Sequence, residues 1–406
     1  MKIHFLIVFL FFVHCLKAQV NGLENNSNSI SNSNAINASP PQMESEEYEI
    51  PALQEDLEEM SIEQKDSETR KSIQTTKFEN ETNKNLTSSD NQSSVLELSN
   101  KMNEILIDVK FNNTRKSPTT DQLKKMDKII QQYKEINDQS FEYNYYSYLV
   151  SNYDVEKIDF LKNAEKIKPQ NTDVQIQLAA YYLIKDIRDS SAYYLQKLVD
   201  VQRIDSVALE YAKDLLSSVS ENGILITHGF DDSYACAYLQ KVQNFRNDVV
   251  LLPFEFFQST YFSNHLNQNI VENNVNQIID NEYFKIFVLN NKNNNLHLSL
   301  SFPKEYIIKI SEPIYIKGLS FVFNNNDNQL ISDNINFYNS ISKSFINNAI
   351  TEKAKQFSVN YLPVLFFLKE YHTSIGNLVV VSELDDLINK ISIQSNKYDI
   401  IQQIKK

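Results

Sequence analysis

The sequence predicts an α/β fold joined to α: a disordered N-terminal arm, degenerate tetratricopeptide-like helical hairpins, then a small, mostly parallel α/β domain with C-terminal helices. Three observations carry this. Residues 19–94 hold little apolar material. From Val95 apolar residues recur at three- and four-residue steps, the helical period. Near residue 223 the pattern switches to short apolar runs around one helical segment, the signature of a βαβ unit.

The chain opens as exported proteins do. Lys2 precedes an apolar run from Ile3 to Val13, and Leu16-Lys17-Ala18 offers a small residue before Gln19. Residues 1–18 read as a cleavable signal peptide, cut after Ala18, which directs the chain to the periplasm or outside the cell. Lipidation at Cys15 is the rival reading, but His14 stands where a lipoprotein signal carries a small residue. The run is short for a span, and no later stretch is apolar enough to cross a bilayer. After cleavage Cys236 is the one cysteine left, so no internal disulfide forms; it reads as a small buried apolar residue.

The formal net charge is −13, and residues 19–100 account for most of it with sixteen acidic against five basic residues. Without a basic stripe or any Trp, nucleic acid is excluded as a partner. The arm, 19–94, begins as an Asn/Ser tract; between Glu44 and Glu68 eleven acids face one Lys. Such a segment buries too little to offset its ordering entropy. A docking stripe of Tyr48, Ile50, Leu53, Leu57 and Met60 is the sharper reading of it.

The helical region, 95–220, starts with Val95, Leu98, Met102, Ile105, Leu106 and Val109 on one helix face, and Leu123, Met126, Ile129, Ile130 and Tyr133 on a second helix over 120–138. Over 138–216 a faint repeat follows: Tyr148 and Tyr182 lie 34 positions apart, the tetratricopeptide period. Phe141, Tyr148, Leu161 and Ala164, then Leu178, Ala179, Tyr182, Ser191 and Leu195, fall on its core positions, while Lys157 stands where a small residue is expected. Tyr143, Tyr145, Tyr146, Tyr181, Tyr182, Tyr193 and Tyr194 either line a concave binding face or pack as core and rim.

In the α/β domain, 221–345, Ile224–Thr227 and Asp248–Leu252 read as parallel strands around a helix over 232–245. A helix over 267–287, strands over 296–302 and 314–323, and helices over 333–355, 357–371 and 380–394 complete the pattern, the region 346–406 being helical.

The candidate site is "LITHGFDDS", residues 225–233. A His-Gly corner of this form accompanies the oxyanion hole of α/β-hydrolases, but that chemistry needs a G-x-S-x-G elbow. The five glycines, at 22, 223, 229, 318 and 376, form none, nor a phosphate-cradling loop. What remains is a strand that turns at Gly229 into a helix capped by Asp231 or Asp232. The low-specificity ligand-binding candidates are His228, Gly229, Asp231, Asp232 and Ser233, because parallel strands bind ligands at their carboxyl ends. No catalytic set, metal site or cofactor motif is read.

"NGILITHGFDDSYACAYLQKVQNFRNDVVLL" resembles the soluble C-terminal region of a Bacteroidetes membrane-protein family related to protein O-mannosyltransferases. Gly229, Asp232, Ser233, Tyr234, Tyr238, Gln240, Val242, Arg246, Asp248 and Val249 fit its first signature, and Pro303, Gly318 and Leu319 its second. The resemblance covers about residues 221–325 and implies a free-standing extracytoplasmic module, beside which that family carries tetratricopeptide-like helices. Phe230 and Asp231 depart from the family's "GDND" turn, and Ala235 and Ala237 replace a proline and a tryptophan; the membrane helices that transfer lipid-linked sugar are missing. The expectation is an exported, non-catalytic binding or scaffold protein of the bacterial cell envelope that contacts a protein or glycan partner. The alternative is an enzyme or accessory subunit of glycoconjugate metabolism that uses the Asp231/Asp232 turn, its carboxylates separated in pKa.

Overall fold

The structure, a computed structural model, describes residues 89–266, 278–323, 326–342, 346, 347, 349 and 351–397. Residues 1–18, read as a signal peptide, residues 19–88 of the expected arm and the first part of the expected 267–287 helix lie outside them. The chain divides into two compact units: Lys17–Ser94, described only from Ser89 where the first helix begins, and Met1–Leu16 with Val95–Lys406.

Among the described residues, seven α-helices precede the sheet: α1 (Ser89–Phe111), α2 (Thr120–Asn137), α3 (Phe141–Leu149), α4 (Ile158–Ile167), α5 (Thr172–Ile184), α6 (Arg188–Asp200) and α7 (Ser206–Ser218). Their starts are set locally. Thr119 and Gln122 cap α2 reciprocally, and Ser140, Asn171 and Asp205 each accept a backbone N–H in the first turn of α3, α5 and α7. Leu98 and Met102 of α1, Met126, Ile129 and Tyr133 of α2, and Tyr146 of α3 form one apolar cluster. Within it the Tyr133 hydroxyl and Ser99 Oγ lie 2.7 Å apart, so neither polar atom is left unpaired. Phe141, Tyr148, Leu161, Ala164, Leu178, Ala179, Ser191 and Leu195 are buried, and Tyr182 is partly buried. Of the seven tyrosines, Tyr193 is exposed, Tyr146 and Tyr194 are buried, and the others are partly buried. They pack largely on one another: Tyr182 stacks on Tyr194 at 5.6 Å, while Tyr181 meets Tyr182 at 5.1 Å and Tyr193 meets Tyr194 at 5.0 Å edge to face.

The sheet follows: β1 (Ile224–Thr227), helix α8 (Phe230–Lys241), β2 (Val250–Pro253), a 3-10 turn over Phe254–Gln258, α9 (Thr260–Asn264), α10 (Asn281–Asn291), β3 (Leu296–Ser299), α11 (Lys304–Ile307), β4 (Tyr315–Lys317) and β5 (Ser320–Val322). The strand order is β2-β1-β3-β5-β4. β1 pairs in parallel with β2 and β3, while β5 is antiparallel to β3 and β4. The sheet is therefore mixed, and the segment read as one strand over 314–323 is a hairpin. Gly318, at φ 55°, makes its turn, and a Cβ there would collide with the side chain of Ser218. The buried Asn334 side chain holds the hairpin, accepting the Gly318 N–H at 2.7 Å and donating to the Ile316 carbonyl at 2.9 Å.

Alternation along β1 sorts side chains between two cores. Leu225 faces the larger one, which runs continuously from Phe141 to Ile391. Ile224 and Ile226 face a second, aromatic core with Phe254, Phe257, Phe284, Phe302 and Tyr306. Helix α8 is enclosed by α6, α7 and β2, which is why every residue from Asp232 to Gln240 is buried. Inside it Cys236 is fully buried, and burial pushes its thiol well above the ordinary range.

Helices α12 (Asp327–Ser340), α13 (Glu352–Val359), α14 (Leu362–Ser374) and α15 (Leu378–Gln394) end the described chain. The helix expected over 333–355 is thus broken between Ser340 and Glu352. The one expected over 357–371 starts later, at Leu362, with a proline in its first turn as pre-set φ favours.

Candidate functional site: the carboxyl edge of the sheet

The residues that carried the resemblance are largely stitches. Arg246 grips Asp248 through two contacts of 2.8 Å and donates to the backbone carbonyls of Leu216 at 2.8 Å and Ser220 at 3.1 Å. The Arg246 contact holds the Asp248 carboxyl down at about 2. Gln240 donates to the Arg246 and Val249 carbonyls at 2.9 and 2.8 Å. Together they fix the α8–β2 connection to the end of α7. At the opposite, amino edge of β3, His297 accepts the Ser220 N–H at 3.2 Å and lies 2.9 Å from Ser320 Oγ. Burial pushes its imidazole down to about 3, so it is neutral and structural.

At the carboxyl edge, β1 ends at Thr227, β2 at Pro253 and β3 at Ser299. Gly229 has φ 82° and ψ 172°, a region essentially closed to other residues. That conformation lets the chain leave β1 and enter α8 at once. The Gly229 N–H donates to Glu255 Oε1 at 2.7 Å.

Three of the five candidate residues are taken up by the fold. Ser233 Oγ and Thr227 Oγ1 lie 2.9 Å apart, both buried. Asp232 is buried and accepts hydrogen bonds from Ser299 Oγ at 2.6 Å and Ser301 Oγ at 2.5 Å, which tie α8 to the end of β3. Burial pushes its carboxyl up to about 7, the serines oppose that shift, and Asp231 and Glu255 add to it. Asp231 pairs at 3.0 Å with Lys353 of α13, which also reaches Asp205 at 2.9 Å. One ammonium thereby links the first turn of α8 to the N-cap of α7.

Phe230 stacks on Tyr234 at 4.5 Å with the Arg203 guanidinium 3.8 Å above its ring. A Cβ built on Gly229 meets no atom within 4 Å outside its two chain neighbours. His228 flanks it, its ring 5.1 Å from Phe302 and 6.0 Å from Tyr306. Its Nε2 is shut off from solvent without a hydrogen-bond partner, and so is the hydroxyl of the fully buried Tyr306. Burial, then the nearby Lys116 charge, hold the imidazole well below its usual range, so it is neutral.

Sequence reasoning missed Glu255, Lys116 and Tyr306. Glu255 follows the end of β2 and is partly exposed, yet desolvation raises its carboxyl above the ordinary range, with the charge of Lys116 opposing. Lys116 is carried by the loop between α1 and α2. That loop is fixed to 279–281 by Lys116 N–H to the Ile279 carbonyl at 2.7 Å, Asn281 N–H to the Thr114 carbonyl at 2.8 Å and Ile279 N–H to Ser117 Oγ at 3.0 Å. Lys116 keeps some solvent contact, but the surrounding protein lowers its affinity for a proton. An acid two residues past a strand end was the one available signal, for Glu255. Among the described residues no group of three potential ligands is placed to hold a metal ion.

The fold defines an α/β module whose parallel strands β2-β1-β3 continue into an antiparallel hairpin, preceded by packed helices. Residues 208–404, from α7 onward, match the family model TMEM260-associated domain 2, which supports a TMEM260-related family for this part of the chain. No curated protein and no solved structure matches the chain. Among the described residues no helix is long and apolar enough to cross a membrane.

Proposed function

We propose that this chain is an exported, non-catalytic binding protein of the bacterial cell envelope, contacting a protein or glycan partner. Its N-terminal helices serve as a tetratricopeptide-like scaffold for the α/β module. One observation carries the reading: the acids of the Asp231/Asp232 turn are committed to Lys353, Ser299 and Ser301. A general acid or base must reach the proton it transfers, and Asp232 is enclosed. The TMEM260-associated description and the resemblance to relatives of O-mannosyltransferases support a place beside a glycosylation system. The arm, on this reading, is a solvated spacer between the export signal and the folded part.

Site-specific photo-crosslinking in growing cells tests it. A crosslinkable residue at the exposed Tyr193, or at the exposed Val379, is expected to trap an envelope protein or glycan, with the chain recovered from the periplasmic or secreted fraction. Recovery from the cytoplasm without a specific adduct rejects the proposal.

A further inference from the structure

We propose that Asn112, in the turn between α1 and α2, is an attachment site for an N-linked glycan and accepts an oligosaccharide on its side-chain nitrogen. The proposal goes beyond the binding role and rests on the chain being exported, because the transfer needs a lipid-linked sugar donor outside the cytoplasm.

The first observation is in the sequence. Asn112-Asn113-Thr114 is an Asn-x-Thr acceptor without proline at its middle position. The chain carries six Asn-x-Ser/Thr triplets, at Asn25, Asn37, Asn80, Asn85, Asn91 and Asn112. None occurs beyond Asn112, although 34 asparagines follow it and composition alone would give about four. A hydrated glycan cannot enter a packed core, and the segments that build the two cores of the sheet carry no acceptor.

The second observation is the geometry of the turn. Asn112 directly follows α1 and is partly exposed, and Asn113 and Thr114 are exposed. Its Oδ1 accepts from the Thr114 N–H and Thr114 Oγ1, each at 2.9 Å, and from the Arg115 N–H at 3.0 Å. These bonds close an Asx turn and commit the amide oxygen to it, while the nitrogen donates to no group among the described residues. Donors on the oxygen draw electron density from the nitrogen and ease the loss of its proton. The turn is braced from both sides: the Arg115 guanidinium reaches Asp108 at 3.3 Å and Gln122 at 3.1 Å, and the Lys116 N–H donates to the Ile279 carbonyl at 2.7 Å. The acceptor is therefore presented in a preformed shape. In the transfer, Nδ2 attacks the anomeric carbon of a sugar carried on a polyprenyl diphosphate. The C–N bond forms as the C–O bond breaks, the diphosphate leaves with the electron pair, and a base of the transferase takes one Nδ2 proton.

Mass spectrometry of the peptide that contains residue 112 tests the proposal. It is applied to the full chain made in its native cells, once with its own N-terminus and once with a foreign export signal. The peptide is expected to carry an oligosaccharide in both. Asn112→Gln removes the acceptor, and Thr114→Ala removes the hydroxyl while keeping the backbone N–H that closes the turn; each is expected to abolish the modification. An unmodified peptide from the chain with the foreign signal, or an oligosaccharide that persists on this peptide in Asn112→Gln or Thr114→Ala, overturns the proposal. Modification of the foreign-signal chain alone removes the export reading and leaves the acceptor site standing. Modification of both chains without envelope crosslinks removes the binding role alone.

Discussion

Asp232 shows how a side chain that reads as reactive becomes structural. Its carboxyl is moved from the ordinary 3.8 to about 7, with desolvation as the largest cause. The folded chain therefore holds this proton over a range in which the unfolded chain has released it. The stabilisation is complete below about pH 4 and is lost as pH rises through about 7, because the native state binds more protons in that window. Asp214, pushed up to about 6 by burial, acts with the same sign; Asp248, held at about 2, acts oppositely and only in strong acid. The neutral, buried imidazoles of His228 and His297 act with the opposite sign below about pH 6.5, so the test compares variants: in urea melts between pH 4 and 8, Asp232→Asn is expected to gain stability relative to the parent chain as pH rises, with a correspondingly changed slope. An unchanged slope would mean that Asp232 does not carry the proton. Of the site, the sequence made legible what is contiguous, residues 228–233. Glu255, Lys116 and Tyr306 were illegible because they converge only when three chain-distant segments close on the strand ends.

Backbone constraints dominate among the elements. The β1–α8 junction depends on a conformation that favours glycine alone, and a Cβ at Gly229 meets no atom within 4 Å outside its two chain neighbours. Gly229→Ala is therefore expected to cost about 1–3 kcal/mol from the backbone alone, measured as a shift in the urea midpoint at constant slope. The β4–β5 hairpin depends instead on one side chain. Asn334→Ala orphans the Gly318 N–H and the Ile316 carbonyl, both paired by that amide. A loss of at least about 2 kcal/mol is expected at two unsatisfied groups, and a loss below about 0.5 kcal/mol would place the hairpin's support elsewhere. The strand–helix–strand unit was readable because periods of two and 3.6 leave different apolar patterns. The hairpin was not, since Gly318 within an apolar run is equally consistent with a bulge or close backbone approach. The break after Ser340 was hidden for a related reason: no proline or glycine stands between Ser340 and Glu352 to mark it.

The larger core runs without interruption through the helices, one face of the sheet and the C-terminal helices, from Phe141 to Ile391. Sequence boundaries near 220 and 345 mark changes of pattern, and this core crosses both. Leu195→Ala in α6 and Ile388→Ala in α15, both at fully buried positions, are each expected to cost about 2–5 kcal/mol and to lower the same transition. Separate transitions would show that the regions fold independently. Lys353 adds a polar link across them, joining α13 to α7 and α8. The most direct test of the claim that the acids after Gly229 serve architecture is urea unfolding of Asp232→Ala. The account predicts a loss of about 1–3 kcal/mol, as Ser299 and Ser301 lose their shared acceptor inside the protein. Unchanged or increased stability would contradict it, and would mark Asp232 as a group held at a structural cost for chemistry.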